Sequence, residues 1–285
     1  MNNRTVRALA LAFLLIAAPW AMTQQRKAEL PKSLRLYVFD GGTLDIPDVT
    51  PYQFKKEDLA TTKMSVVSFL IAHPKGTLMW DAGAVPDTAF KPGGGPGTLR
   101  YASSAKPLGA QLAEIGFAPS DIQYFALSHF HWDHVGNANL FAGATWLARK
   151  GDRDIMFGDQ PSPRTEPANF SALKNSKTTM LEKDDYDVFG DGTVVIKATP
   201  GHSPGHQVLF LKLPKTGPVL LSGDLYHYPE ERKFNRIPTT EFDAKQTAAS
   251  RAAVEEFLKK TNAQLWIQHD LIATAKLKKA PAFYE

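Results

Sequence analysis

Residues 122–134 read IQYFALSHFHWDH. An apolar segment of strand length ends here in histidines and an aspartate at H-x-H-x-D-H spacing. Alternate side chains of an extended strand share a face, so His129 and His131 leave it together, and Asp133 and His134 follow in the turn. Imidazole and carboxylate groups bind divalent transition metals. The stretch therefore predicts that one strand end supplies ligands to two metal ions about 3.5 Å apart.

Three further segments place a histidine or an aspartate directly after an apolar run. Residues 193–199 lead into PGHSPGH at 200–206, residues 218–222 into Gly223-Asp224, and residues 264–268 into His269-Asp270. Functional groups of open sheets gather at strand ends, so we expect these side chains to meet the first motif. The predicted metal ligands are His129, His131, Asp133, His134, His202, Asp224 and His269.

Composition excludes several classes of protein. The chain has 285 residues, 43% of them hydrophobic, with eight histidines and no cysteine. It is therefore long enough for a sizeable core, and it has no disulfide, thiol nucleophile, iron–sulfur cluster or sulfur-ligated zinc. The net charge of +4 is spread along the chain, so we expect no nucleic-acid partner.

The first 23 residues are typical of a bacterial secretory signal peptide. Arg4 and Arg7 precede an apolar run over residues 8–18, which is too short to span a bilayer, and small residues follow. This predicts a single mature domain over 24–285, a periplasmic or secreted location and no stable membrane insertion after cleavage; the alternative is an uncleaved anchor. Removal of Arg4 and Arg7 would lower the net charge from +4 to about +2.

Apolar and β-branched runs predict strands over residues 34–39, 64–72, 77–80, 122–128, 145–148, 193–199, 207–211 and 218–222. A first helix is expected to begin with Pro107 in its first turn and to end at Gly116. A second begins at Asp243, with Gln246 in a capping-box position, and ends before Asn262. Paired strands mixed with helices indicate an α/β (α+β) fold with two sheets packed between helices.

Two loops rich in Gly and Pro are either ordinary surface connections or the rim of a substrate-binding mouth. They are residues 91–98 (KPGGGPGT) and 160–167 (QPSPRTEP). Among the remaining polar residues, we expect His206 to support a ligand, His73 to lie on the surface, and Asp81 to accept hydrogen bonds beneath the metals.

These motifs resemble the metallo-β-lactamase superfamily, whose fold is an αββα sandwich of two similar halves with the metal site at one edge. The whole mature chain is similar to its N-acyl-homoserine lactonase branch. That similarity rests on LYVFDGG at 36–42, HPKG at 73–76, WDAG at 80–83 and PAFY at 281–284, besides the metal motifs.

The resemblance implies a role for each ligand. His129, His131 and His202 would bind one divalent ion, Asp133, His134 and His269 a second, and Asp224 would bridge them with a hydroxide; zinc is the expected metal. That hydroxide would attack the carbonyl of a lactone. Sulfur-using β-lactamases place cysteine where Asp224 falls, and the histidine-only ones lack the bridging carboxylate. Asp224 therefore weighs against both kinds of β-lactamase and for ester-like substrates. The partner would be a small-molecule lactone or related ester, and a homodimer is compatible with the resemblance.

One departure from the branch concerns the hydroxyl that usually stabilises the oxyanion. The branch has Tyr three residues after the bridging aspartate, where this chain has His227. Either His227 or Tyr226 is favoured as the donor; Tyr228, or no donor, are the alternatives. For an apolar acyl trough, composition offers Trp132, Met156, Phe157, Phe170 and Phe189, although such residues are more typical of a core.

Three other functions share this ligand set. They are hydrolysis of β-lactams, hydrolysis of aryl phosphotriesters and ligand binding without catalysis. The last is disfavoured because the set of seven ligands is complete.

Overall fold

The structure, a computed structural model, describes residues 28–159 and 162–285. The predicted signal peptide at 1–23, residues 24–27 of the predicted domain, and Gln160 and Pro161 of the second loop lie outside the described residues. Of the described helices, none is both long and apolar enough to cross a membrane.

Fourteen strands form two sheets in the described residues. They are β1 (Arg35–Asp45), β2 (Lys63–His73), β3 (Gly76–Trp80), β4 (Gly97–Leu99), β5 (Ala102–Ser104), β6 (Tyr124–Ala126), β7 (Thr145–Ala148), β8 (Thr178–Met180), β9 (Asp185–Asp187), β10 (Val194–Ala198), β11 (Gln207–Leu213), β12 (Gly217–Leu221), β13 (Gln264–Trp266) and β14 (Phe283–Tyr284). The first sheet has the order β4-β5-β1-β2-β3-β6-β7-β8, with β14 also paired to β1, and the second has the order β13-β12-β11-β10-β9.

The described part of the chain also contains six α-helices: α1 (Leu108–Glu114), α2 (Lys150–Phe157), α3 (Pro167–Phe170), α4 (Pro229–Phe234), α5 (Ala244–Thr261) and α6 (Leu271–Ala275). Pro107 occupies the N-cap position, so α1 begins one residue after it, at Leu108. Asp243 caps α5 by accepting from the backbone of Lys245 and Gln246. The side-chain amide of Gln246 donates to the Asp243 carboxylate and does not pair with the backbone N–H of Asp243. That N–H already donates to the carbonyl of Gly201.

Alternation along β1 shows how the layers form. Leu36 and Val38 pack with side chains of the second sheet in the core between the sheets, whereas Tyr37 and Phe39 point outward to the cluster that includes α1 and α2. On the other side, Val254 of α5 packs against the outer face of the second sheet. The predicted αββα sandwich is therefore confirmed, with sheets of unequal size.

Candidate metal centre

The H-x-H-x-D-H loop follows β6 and is held from below by Asp81. Its Oδ1 accepts from the backbone of Ser128 at 2.6 Å, and its Oδ2 lies 3.0 Å from Nδ1 of His134 and accepts from Gln268 at 2.7 Å. Asp81 is fully buried and has φ 58°, so its backbone adopts a conformation that L residues rarely use. The expected role of Asp81 as a buried acceptor is confirmed.

A first group of ligand atoms comes from His129, His131, His202 and Asp224, and these atoms all lie within 4.8 Å of one another. The Nε2 atoms of His129 and His202 lie 3.6 and 3.4 Å from Oδ2 of Asp224. The loops after β6, β10 and β12 thus meet at one edge of the sandwich, as the sequence predicts.

A second group comprises Asp133, His134, His269 and again Asp224. Here the Nε2 atoms of His134 and His269 lie 3.1 and 3.0 Å from Oδ1 of Asp224. Oδ2 of Asp133 lies 3.8 and 3.6 Å from the same two nitrogens. Asp224 therefore presents one carboxylate oxygen to each group, which is the arrangement that a bridging ligand requires.

The donor atoms fit divalent cations. Nε2 of His129, Nε2 of His134 and Oδ1 of Asp224 are buried and form no hydrogen bond with any described residue, which is costly unless a cation binds them. Burial lowers the pKa of His129, His131 and His202 well below the usual value. These imidazoles are therefore neutral and able to coordinate.

Supporting groups fix the ligand histidines from behind. Nδ1 of His202 lies 2.9 Å from Glu241, and Nδ1 of His269 lies 2.7 Å from the carbonyl of Ser65. Such partners set the tautomer and direct the other nitrogen at the metal. Glu241 has no motif around it, and only its place in the fold reveals this role.

His206 also supports the site, as expected. Its Nε2 accepts from the backbone N–H of Asp224 at 3.0 Å, and its Nδ1 donates to the carbonyl of Thr199 at 3.0 Å. The expectation for His73 is wrong, because it is buried at 4% exposure. Its ring stacks on Phe189 at 4.3 Å, and its Nδ1 accepts from the backbone of Lys75.

The two candidate donors after Asp224 point in different directions. Nε2 of His227 lies 3.3 Å from Oδ2 of Asp224 and its Nδ1 lies 3.2 Å from Glu231. Burial disfavours the charged ring of His227, but Glu231 and Asp224 outweigh it and raise its pKa to about 10. Glu231 is itself fully buried and paired with Arg251 of α5.

Tyr226, by contrast, does not face the metal ligands, and the prediction that it could is wrong. Its hydroxyl donates to Glu255 at 3.0 Å, and Arg251 lies over its ring at 4.3 Å. The apolar ring is buried against the outer face of the second sheet. The alternative donor, Tyr228, is also committed elsewhere, to the carbonyl of Thr62 at 2.8 Å.

A cavity of about 160 Å³ opens over the ligands. It is lined by Leu44, Ile46, Tyr52, Met64, Arg100, Tyr101, His131, Trp132, Asp133, Pro163, Arg164, Asp224, His227 and His269. Of the proposed trough residues only Trp132 lines it. Met156, Phe157 and Phe170 pack in the core under α2, and Phe189 lies against His73.

Only the second of the two Gly- and Pro-rich loops contributes described residues to the lining of this cavity, namely Pro163 and Arg164. Arg100 and Tyr101, which also line it, follow the first loop after Leu99. Arg100 also joins the loops by donating to the carbonyl of Thr165. The description as the rim of a mouth therefore holds for the second loop, through Pro163 and Arg164, and not for the first loop, none of whose residues lines the cavity.

Sequence reasoning missed Tyr52, which lines the cavity with its ring 4.9 Å from that of His227. Burial, Tyr228 and the charges of Asp133 and Asp224 raise the pKa of Tyr52 well above its usual range. Its hydroxyl therefore keeps its proton and is a hydrogen-bond donor. Tyr52 lies in a short 3₁₀ turn far from every motif, so no local pattern could identify it.

Comparison with known proteins agrees with this geometry. The family model described as "Metallo-beta-lactamase superfamily" matches residues 61–269. The chain is 30% identical to the N-acyl homoserine lactonase AttM of Rhizobium radiobacter over 260 residues, covering 88% of this chain and 98% of the relative. It is 29% identical to AttM of Azorhizobium caulinodans over 271 residues, covering 88% and 99%.

Solved structures share the fold. An N-acyl homoserine lactone hydrolase with the product N-hexanoyl-L-homoserine at its catalytic metal center has a TM-score of 0.70 and 23% identity, covering 87% of this chain and 98% of that one. AidC, a dizinc quorum-quenching lactonase, has a TM-score of 0.64 and 18% identity, covering 91% and 96%. The fold, the clustered ligands and the family match together show that the protein belongs to the metallo-β-lactamase superfamily, as an enzyme of the metal-dependent hydrolase type.

Proposed function

We propose that the protein binds two divalent ions, zinc in the first instance, and opens the lactone ring of N-acyl-homoserine lactones. The observation that carries the proposal is Asp224, whose two oxygens face two separate ligand groups. The names of the relatives that share 29–30% identity support the choice of substrate.

Divalent ions held there would supply a hydroxide at neutral pH and polarise the lactone carbonyl. The protein itself keeps the His129, His131 and His202 imidazoles neutral by burial and fixes the bridging carboxylate through His206. These contacts hold the ligands in place before substrate arrives, so little reorganisation is needed during the reaction.

Two side chains of the cavity are placed to stabilise negative charge that develops on the substrate oxygens. Tyr52 contributes a protonated hydroxyl, and His227 directs Nε2 to the same space because Glu231 faces its Nδ1. Together, Tyr52 and His227 would donate the hydrogen bond to the oxyanion that one tyrosine donates in the lactonase branch. The buried Glu231–Arg251 pair holds His227 in this orientation.

The test joins metal analysis to substrate comparison. After removal of metal with a chelator and reloading with zinc, we expect about two ions per chain and the highest kcat/KM on a short-chain or long-chain homoserine lactone. Asp224→Ala should lose the paired site and most activity. A carbapenem or an aryl phosphotriester turned over faster than both lactones would reject the substrate, and two tightly bound ions with full rate in Asp224→Ala would reject the bridging role.

A further inference from the structure

Arg164 brings a positive charge to the cavity over the ligands. Its backbone carbonyl accepts from the N–H of Trp132 at 2.9 Å, which places the residue directly beside the H-x-H-x-D-H loop. Its side chain is half-buried and donates from Nη1 to the carbonyl of Thr240 at 3.0 Å. One nitrogen of the guanidinium is thus held by a hydrogen bond, and the guanidinium has further N–H groups that can donate.

Arg164 has no carboxylate partner among the described residues, whereas Arg100 pairs with Glu166 at 3.1 Å. Arg164 and His131 line the same cavity, so this charge lies close to the first ligand group. The acidic side chains of the cavity, Asp133 and Asp224, are committed to the metal ligand sets.

The size of the cavity decides which part of a substrate meets Arg164. A volume of about 160 Å³ is well below the roughly 300–1,000 Å³ that buries a drug-sized ligand. The cavity can hold the reacting ring, but the rest of the substrate must extend past the mouth. Its apolar wall comes from Leu44, Ile46 and Met64, and Arg100 and Arg164 also line it.

Resting on the proposed function, we infer that the preferred substrates are lactones whose part outside the ring carries a carboxylate, and that Arg164 binds this carboxylate. A guanidinium suits this task because its planar fork matches the two oxygens of a carboxylate and is weakly hydrated. Arg164 is then a specificity-determining residue, and a plain alkyl chain would leave its charge without a partner.

The test uses two substrates with the same ring. One is homoserine lactone acylated with adipic acid, which ends in a free carboxylate, and the other is its methyl ester. With the zinc-loaded protein we expect kcat/KM to be about tenfold higher for the acid, mainly through KM, since only the acid pairs a charge of its own with the guanidinium. Arg164→Gln should bring the ratio to about one, and Arg164→Lys should retain part of it.

Arg153→Gln is the matched control, because Arg153 lies on α2 and does not line the cavity. It should keep the wild-type ratio. Calorimetry of the ring-opened acid and ester gives a second readout without turnover, and the tighter binding of the acid should disappear in Arg164→Gln and weaken with added NaCl.

Two results would overturn the inference: an ester that is as good as the acid in the wild type, or an acid preference that survives Arg164→Gln. Failure of the proposed function looks different, since neither lactone would be opened faster than a carbapenem. A carbapenem also carries a carboxylate, so the effect of Arg164→Gln on its KM would still decide the role of Arg164.

Discussion

Asp224 owes its position to its neighbours in the turn after β12. Its backbone N–H donates to Nε2 of His206 at 3.0 Å. Gly223 makes the turn at φ 49°, and a Cβ there would lie 2.8 Å from the same nitrogen. The carboxylate that the two ligand groups share is thus aimed by Gly223 and by the His206 imidazole, which burial keeps neutral by lowering its pKa to about 4; neither residue is part of the two groups.

The most direct prediction for single residues concerns the hydroxyl donor. We expect Tyr52→Phe to lower kcat/KM on a homoserine lactone by about 10²-fold, because removing one oxyanion donor typically costs 10²–10³-fold. His227→Phe should lower it by a similar factor, with unchanged metal content in both variants. Initial rates and metal analysis of the zinc-loaded variants provide the measurement.

Tyr226→Phe is the matched control for this pair, since its hydroxyl bonds to Glu255 on α5. We expect it to keep the wild-type rate. A Tyr52→Phe variant as fast as the wild type would exclude the phenol as a donor.

All seven residues of the two candidate ligand groups could be predicted, because each belongs to a short motif after an apolar strand. Tyr226 was misjudged because position after Asp224 does not fix direction: the irregular turn rotates the chain, and the ring finds apolar partners and Glu255 on the helix side. Tyr52 could not be found, since contacts formed by folding alone bring it to the cavity, whereas Arg164 lies in the second Gly- and Pro-rich loop, which the sequence offers as a possible rim.

At the scale of elements, the long apolar strands β1, β2 and β11 could be read from the sequence. The strand predicted over residues 122–128 shortens to β6, because its ladders with β3 and β7 extend over three residues only. The short strands β4, β5, β8 and β9 were missed. Segments of three residues carry too little periodicity to be recognised, and they form because longer neighbours offer them backbone partners.

One prediction tests how α5 and the loop after β10 fit together. A Cβ on Gly201 would lie 2.2 Å from the backbone nitrogen of Thr247 in the first turn of α5. Gly201→Ala must therefore displace either the helix or the loop that carries His202. We expect it to lower the free energy of unfolding by about 1–3 kcal/mol and to weaken metal binding, measured by urea unfolding and metal titration.

Gly190→Ala is the control for backbone strain. Gly190 also has a positive φ, of 72°, but nothing lies within 4 Å of its Cβ position. Its variant should lose less stability and keep the metal affinity of the wild type. Equal effects in the two variants would show that close packing against α5 is not what matters at Gly201.

At the scale of the whole molecule, the site exists only when the two sheets pack together. The loop after β6 comes from the first sheet, whereas Asp224 and His269 follow strands of the second. Asp152 of α2 joins the two sides: Oδ1 accepts from the backbone of Gly205 at 2.6 Å and Oδ2 from Ser203 at 2.9 Å, and the backbone of Phe130 also bonds to it.

Stability should depend on pH through this buried carboxyl. Burial raises the pKa of Asp152 from 3.8 to about 7, against the hydrogen bonds of Ser203, Gly205 and Phe130 and the charge of Arg149. When the pH lies between 3.8 and about 7, the Asp152 carboxyl is protonated in the folded protein but ionised in the unfolded chain. The contribution of Asp152 to stability is therefore fully present below about pH 4 and is lost as the pH rises to about 7. Asp152→Asn cannot ionise. The free energy of unfolding of Asp152→Asn relative to the wild type should therefore rise from pH 4 to pH 7 and then level off.

Urea unfolding of both proteins across this range measures it, with Asp154→Asn, exposed on the same helix, as the control. A difference that stays constant with pH would mean that Asp152 is ionised throughout and braces the two loops as an anion.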